Sequence, residues 1–480
     1  MTAEVMAQEE TQTAEVVAVA EPQKEKVAGE NVEPKESSLD EKKPKMVEKS
    51  SSYKEESNFL SDLKEFERKA LIELKSKLEE AILGDTLFEK EEPKKEASAE
   101  KEAEEKEASA EKEAEEKNEA EGKDEGKSVE VEEKDVCLWG VPLLPSKGAE
   151  GIDVVLLKFL RAREFRVSDA FEMLKKTLKW RKESNIDSLV DEDFASDLAS
   201  AAYMNGVDHE GHPVCYNVFG AFESEELYQK TFGTEEKRSE FLRWRCQMME
   251  KGIQKLNLKP GGVSSLLQIN DLKNSPGLSN KELRVATKQT VAMLQDNYPE
   301  MVAKNIFINI PFWYYALNAL LSPFLTQRTK SKIVVARPNK VTETLIKYIP
   351  IEEIPVQYGG FKRENDAEFS SQDGAVSELI LKAGSTATIE IPALEVGNSV
   401  CWDLSVLGWE VSYKEEFVPT DEGSYTVIVQ KGKKMGSQEG PVRNSFRNNE
   451  AGKVFLTIEN NSNKKKRVLY RYKTTTKSSF

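Results

Sequence analysis

Residues 297–325 read NYPEMVAKNIFINIPFWYYALNALLSPFL, and the way this stretch divides decides the fold. Asn305–Gln327 is 23 residues without a charge, a length that would span a bilayer. Pro311 and Pro323 interrupt it, however, and Asn309, Asn318 and Ser322 are polar. It therefore divides into a buried strand, Ile306–Ile310, and a short aromatic helix, Phe312–Leu321. The same alternation extends both ways. Upstream, Val214–Val218 and Val263–Asn270 read as strands, with helical patterns at Ser224–Leu256 and Ser279–Asn297. Downstream lie a strand at Lys332–Val335 and a helix at Val341–Tyr348. Strands separated by helices predict an α/β sheet.

Other grammars flank this segment. Asp153–Glu183 is helical in period, with Val154, Leu157 and Leu160, then Ala170, Met173, Leu174 and Leu178. After Gly359-Gly360, Phe361–Ala375 reads as a polar linker. From Val376 to Tyr472 short β-type runs alternate with turns, about eight strands in an antiparallel sandwich.

The chain has 480 residues, 69 Lys+Arg against 85 Asp+Glu, and a net charge of −16. Met1–Val136 holds 42 acidic and 23 basic residues, whereas the remainder has 43 and 46, so the acidity belongs to the N-terminal part. That part has four aromatics, Tyr53, Phe59, Phe66 and Phe88. So few apolar anchors at such charge predict a mostly disordered tail over residues 1–136. Within it, EASAEKEAEEK at Glu96–Lys106 recurs letter for letter at Glu107–Lys117, a low-complexity spacer. Residues 59–83 differ: Leu63, Phe66, Leu71, Leu74, Leu78 and Ile82 form one stripe, with Ser61 as N-cap and Gly84 as stop. This amphipathic helix is expected to dock onto the folded body.

The composition excludes a strongly basic nucleic-acid binder. Cys137, Cys215, Cys246 and Cys401 have no paired spacing and read as reduced thiols. Met1–Ala20 has four glutamates and no basic residue, unlike a secretory signal. No P-loop, G-x-G-x-x-G, H-E-x-x-H or G-x-S-x-G pattern occurs. His209 and His212 are the two histidines and read as part of a solvent-exposed turn, without the further ligands a metal would need. No enzyme, metal or cofactor is expected.

LLKFLRAREF (Leu156–Phe165), GHPVCY (Gly211–Tyr216), INDLKN (Ile269–Asn274), NYPEMVAKNIFIN (Asn297–Asn309), PFWYYALNALLSPFL (Pro311–Leu325) and IPVQYGG (Ile354–Gly360) occur in that order. Together they resemble the CRAL-TRIO family, the Sec-fourteen-like lipid-transfer fold, and the last hundred residues resemble a GOLD domain. An acidic tail joined to these two domains is similar to the plant patellins. The resemblance implies a multidomain chain. A disordered acidic tail (1–136) precedes an α-helical subdomain (137–195), an α/β CRAL-TRIO lipid-binding domain (196–364) and an all-β GOLD sandwich (365–480).

It also implies sites. Phe312, Trp313, Tyr314, Tyr315, Leu317, Leu320, Leu321 and Phe324 fall on the family's lipid gate, with Pro311 and Pro323 as hinges; by spacing alone they also fit an ordinary core stripe. The inositol headgroup contacts fall on Arg163, Glu300 and Lys332. Arg and Lys suit phosphate, and a carboxylate accepts inositol hydroxyls. An ion pair supporting the fold is the other reading of Glu300 and Lys332. Glu164 stands where the family usually has Lys, which weakens the positive charge at the site; Leu266 and Gln268 stand at its polar choline-lipid positions, a departure that argues against choline-lipid exchange. In the GOLD segment Lys431, Lys433, Lys434, Lys464, Lys465, Lys466 and Arg467 form either a membrane-facing basic patch or solvated hairpin tips.

The resulting expectation is a cytoplasmic, peripheral membrane protein that binds anionic membrane lipids, phosphoinositides in particular. It would transfer or present them in trafficking, with the cell plate of dividing cells as one place of action. The alternative is a lipid-sensing adaptor that recruits trafficking proteins through the GOLD domain and the tail. The tail would act as an electrostatic brake, competing for the basic patches of the body.

Overall fold

The computed structural model describes residues 16–17, 54–88, 136–194, 196–276, 280–311, 314, 327–337, 339–370, 373 and 375–475. Most of the acidic tail, including its repeat, lies outside these residues, as does the aromatic segment apart from Tyr314.

The stripe at 59–83 forms helix α1 (Glu65–Leu83). Leu71, Leu74, Leu78 and Ile82 are buried at spacings of three and four. Ser61 does not cap it; it lies in a preceding 3-10 turn, and the helix opens where the Lys64 amide donates to the Glu67 carboxylate. Gly84 ends it, its amide returning to the Glu80 carbonyl. Phe66 leaves the stripe: it is 55% exposed and meets Phe165 edge-on. Helix α1 shares one core with α2 (Ile152–Ala162) and α3 (Val167–Glu183), in which Leu156, Leu157, Phe159, Leu160 and Leu174 are fully enclosed. A helix encoded within the acidic third of the chain is thus structural.

The central sheet runs β1 (Ala202–Val207), β2 (Pro213–Val218), β3 (Leu266–Asp271), β4 (Val302–Ile308) and β5 (Ile333–Val335), side by side in chain order. β1 is antiparallel to β2; the other neighbours are parallel. Parallel strands need crossovers. Here α4 (Glu225–Phe232) with α5 (Glu235–Ile253), and then α6 (Lys281–Asn297), supply the first two. Side chains alternate across the sheet. Val214, Tyr216, Leu267, Ile269, Ile306, Ile308 and Val334 pack with helix α7 (Val341–Leu345) and the segment after it, through Leu345, Ile349, Ile354 and Tyr358. The other face presents Cys215, Leu266 and Gln268 to Arg245, Met248 and Met249 of α5 and Leu294 of α6, which line a narrow cavity. Among the described residues no helix is long and apolar enough to cross a membrane.

Gly359 stands at φ 86°, and a Cβ there would meet the Thr342 hydroxyl at 2.3 Å, so the turn out of this domain requires glycine. The segment beyond this turn is not a free linker. Phe361 and Phe369 are buried, Phe361 joins Ile351, Leu407 and Leu469 in a small core, and Arg363 donates to Asp403 at 2.8 Å.

The C-terminal unit is an eight-stranded antiparallel sandwich. One sheet is ordered β7 (Thr386–Ala393), β12 (Gly452–Glu459), β9 (Val411–Pro419), β10 (Val427–Met435); Val16–Val17 adds a short rung to β7. The other is β11 (Val442–Arg447), β8 (Ser399–Val406), β13 (Lys466–Thr475), β6 (Ser377–Leu381). Trp402, Tyr413, Phe417, Leu456 and Val468 fill the space between them. Asp403, with no exposed surface, is neutralised by Arg363, Arg443 and Arg471, which ties the connecting segment to the sandwich.

Leu78→Ala in α1 is expected to destabilise the full-length chain by about 2–5 kcal/mol, the range for a fully buried leucine. Chemical denaturation followed by circular dichroism would show this as a lowered midpoint.

Candidate functional site

Helix α2 carries two cations in a sequence, IDVVLLKFLRA, that is otherwise apolar apart from Asp153. Lys158 and Arg161 are three residues apart, so they share a face, and both are buried. A buried cation must find acceptors. The Lys158 ammonium donates to the carbonyls of Ser264 at 2.7 Å and Glu300 at 2.8 Å. Burial pulls its pKa down to about 7, against the opposing pull of Glu55 and Glu300.

Glu300 sits in the turn between α6 and β4 at φ 54°, a left-handed conformation uncommon for glutamate. That backbone lets its carbonyl meet Lys158 while its carboxylate accepts from Lys332 Nζ at 2.6 Å and Arg328 Nε at 2.7 Å. Burial opposes its ionisation, but the charge of Lys332 and the hydrogen bond and charge of Arg328 hold its carboxyl below the ordinary range. Lys332 precedes β5 and also donates to the Val302 carbonyl at 2.8 Å, so it is fixed against the sheet edge.

The fourth wall comes from before α1. The strap Lys54–Asn58 brings two carboxylates into the cluster. Glu56 takes both terminal nitrogens of Arg328, at 2.9 and 3.1 Å, and lies 2.8 Å from Arg161 Nε. Arg161 further donates to Asn58 Oδ1 and the Ser57 carbonyl, each at 2.6 Å. Glu55 accepts from Ser265 Oγ at 2.6 Å and faces His212 Nε2 at 2.9 Å; the other ring nitrogen meets Asp208 Oδ2 at 2.8 Å.

The predicted residues fare unequally. Glu300 and Lys332 come together. Arg163 does not join them: it is half-buried just past the end of α2, and its guanidinium donates to the neighbouring Ala162 carbonyl. Lys158 takes the Glu300 carbonyl, Arg161 joins the cluster through Glu56, and Arg328 pairs with the Glu300 carboxylate instead. The signal for the first two was in the sequence, as charges in a helix with almost no other polar residue. His212 is not in an exposed turn; it is buried between two carboxylates, whereas His209 is exposed. Of the gate residues, Tyr314 is buried with its ring 5.2 Å from Phe307. Phe312, Trp313, Tyr315, Leu317, Leu320, Leu321 and Phe324 lie outside the described residues.

The basic patch is reduced. Lys466 is buried with Glu410 3.4 Å away, and Arg467 forms a two-pronged pair with Glu378 at 2.7 and 2.6 Å. Lys431, Lys433 and Lys434 are exposed on the edge strand β10 rather than at a hairpin tip. Lys464 and Lys465 are exposed in the turn before β13. Asn461 of that turn donates to Ser412, whose strand partner is Lys434, so both groups lie at the same end of the sandwich.

His212 has a distinct titration. Burial disfavours its charged form, but Asp208 and Glu55 outweigh this and raise its pKa to about 9. Glu55 is the converse: hydrogen bonds from His212 and Ser265 overcome burial and lower it to about 2. A raised histidine pKa stabilises below its unfolded value near 6.5 and is lost as pH rises through the folded one. A lowered carboxylate pKa stabilises above about 4.5 and is lost as pH falls through the folded value. The strap is therefore held most firmly between about pH 4.5 and 6.5 and loosens toward pH 9. The His212 imidazole resonances should titrate with a midpoint near 9; a midpoint near 6.5 would remove this pairing.

Three family descriptions match the chain: the CRAL/TRIO N-terminal domain over residues 70–176, the CRAL/TRIO domain over 199–360, and the Patellin-1-like C-terminal GOLD domain over 382–466. The first begins inside α1, in keeping with that helix's place in the helical core. Among curated relatives, Patellin-4 of Arabidopsis thaliana is 56% identical across 100% of both chains. Patellin-3 of the same plant is 46% identical over 90% of this chain and 80% of its own. Phosphatidylinositol transfer protein sfh5 of Emericella nidulans is 29% identical over 50% of this chain and 61% of its own. With a CRAL/TRIO pair, a GOLD sandwich and full-length identity of this order, the chain belongs to the patellin family.

Proposed function

We propose that the chain binds a phosphoinositide and transfers or presents it at membranes, without chemical change to the lipid. The observation that carries this reading is the Glu300 carboxylate held between Lys332 and Arg328, with Lys158 on the Glu300 carbonyl and Arg161 sharing Glu56 with Arg328. Guanidinium groups grip phosphate with two prongs, ammonium groups supply point charge, and a carboxylate accepts inositol hydroxyls. An ion pair serving only the fold would need neither the extra cations nor the solvent access that Arg328 keeps. The name of the relative from Emericella nidulans agrees in ligand class.

In this reading the acyl chains lie on the sheet face that carries Cys215, Leu266 and Gln268, under α5 and α6. The family motif would assign the cover to residues 312–324, with Pro311 and Pro323 as its hinges; apart from Pro311 and Tyr314 these lie outside the described residues. Leu266 and Gln268 give that cavity no choline-lipid character. Lys431, Lys433, Lys434, Lys464 and Lys465 at one end of the sandwich would add attraction to an anionic bilayer of about 1 kcal/mol per charge. Membrane traffic, including the forming cell plate, is the setting we propose.

Lys332→Ala should lower affinity for phosphatidylinositol vesicles about 10- to 100-fold, the range for one charge-assisted hydrogen bond. Arg328 still neutralises Glu300 in this variant, so unfolding should remain cooperative. Unchanged vesicle binding by a folded variant would sink the assignment. Exchange of labelled lipid between vesicles then separates transfer from a lipid-sensing adaptor.

A further inference from the structure

We propose that the strap Lys54–Asn58 is a built-in occupant of the headgroup site, and that a membrane lipid whose inositol carries more than one phosphate binds by displacing Glu55 and Glu56. This rests on the reading of the Lys158–Arg161–Arg328–Lys332 cluster as a headgroup site.

The strap holds its place by groups that a phosphate can imitate. Its sequence, KEESN, has no apolar side chain to bury. Its contacts are instead charge pairs and hydrogen bonds: Glu56 to Arg161 and Arg328, Glu55 to His212 and Ser265, Asn58 and the Ser57 carbonyl to Arg161, and Asn58 Nδ2 to Ser264 Oγ at 3.3 Å. The pairing of Glu56 with both terminal nitrogens of Arg328 is the geometry by which arginine also takes phosphate. The hydrophobic anchoring of α1 begins at Leu63, so the strap can leave while the helix stays. Glu56 keeps 47% of its side chain exposed, which gives an incoming anion a point of entry.

Charge decides which ligand succeeds. With the strap away, Arg161, Arg328 and Lys332 are left with the single carboxylate of Glu300, and His212 with that of Asp208, an excess of cations. The strap returns two negative charges. A phosphodiester alone carries one and replaces them poorly; an inositol with further phosphates, each adding about 1.5 to 2 charges, replaces them fully. Because the strap is joined to α1 by a few residues, it competes at the high effective concentration of an intramolecular ligand. Apparent affinity falls by the fraction of molecules with the site open. The brake on anionic lipid is thereby assigned to five residues at one site rather than to the acidic tail at large.

The test uses the full-length chain, its Glu55→Gln/Glu56→Gln variant, and vesicles of phosphatidylcholine with either phosphatidylinositol or its bisphosphate. Wild type should prefer the bisphosphate vesicles. The variant should bind both more tightly, by about tenfold or more for phosphatidylinositol, and so lose much of the preference. Hydrogen exchange at residues 54–58 of wild type should quicken on adding bisphosphate vesicles. Soluble inositol trisphosphate separates the sources: release by it but not by the vesicles would overturn a lipid ligand. A variant that binds no more tightly, or a strap that stays protected with lipid bound, overturns displacement. Adding Lys332→Ala keeps the two readings apart: if it weakens binding in both backgrounds while the glutamine variant gains nothing, the headgroup site stands and displacement falls. If it weakens neither, the headgroup site itself falls.

Discussion

Two cations inside an apolar helix set the terms for the N-terminal half of this molecule. Lys158 and Arg161 are placed by helical spacing on the buried face of α2, where an unpaired charge costs several kcal/mol. Each is satisfied only by bringing distant parts of the chain together. Lys158 gathers the loop before β3 and the turn before β4; Arg161 gathers the strap before α1. Glu300, in its left-handed turn, then links Lys158 to Arg328 and Lys332 at the start of β5. The helical core, the sheet edge and the acidic N-terminal part thus meet at one polar point, and any ligand that enters there acts on all three.

The layers of the fold were legible because they depend on local period. The parallel strands β2 to β5 are short apolar runs between amphipathic helices, and the sandwich strands alternate every second residue with turns between them. The α1 stripe was legible for the same reason, apart from Phe66. What the sequence hid depends on pairing across the chain. Nothing local marks KEESN as the partner of Arg161, 103 residues away for Asn58. His212 looks like part of a polar turn until Glu55 arrives from 157 residues upstream. Phe361–Ala375 looks like a linker because Arg363 finds its acceptor, Asp403, only in the folded sandwich.

The candidate site shows the same division. Glu300 and Lys332 were legible through motif spacing, and the structure brings them into contact. Arg163 was carried over from a different motif, the LRAR of Leu160–Arg163, yet the helix ends just before it and its guanidinium turns to its own neighbour. Arg161, two residues earlier, enters the cluster, a matter of helical phase that a linear motif does not express. In the basic patch, Lys466 and Arg467 come directly after exposed lysines in sequence, but strand alternation buries the first, and the second pairs with Glu378 of the neighbouring strand.

The formal charge of −16 therefore has a structural meaning at one place. Two of the acidic residues N-terminal to the body are counter-charges within its cation cluster, and their departure is what would turn that cluster toward lipid. The central claim is that this cluster is a lipid headgroup site. Native mass spectrometry of the full-length chain after incubation with vesicles containing phosphatidylinositol bisphosphate, with extraction and identification of what it carries, tests it most directly. The account predicts one inositol phospholipid per chain, lost in the Lys332→Ala protein; a chain that retains no lipid, or retains neutral lipid equally in both proteins, would contradict it.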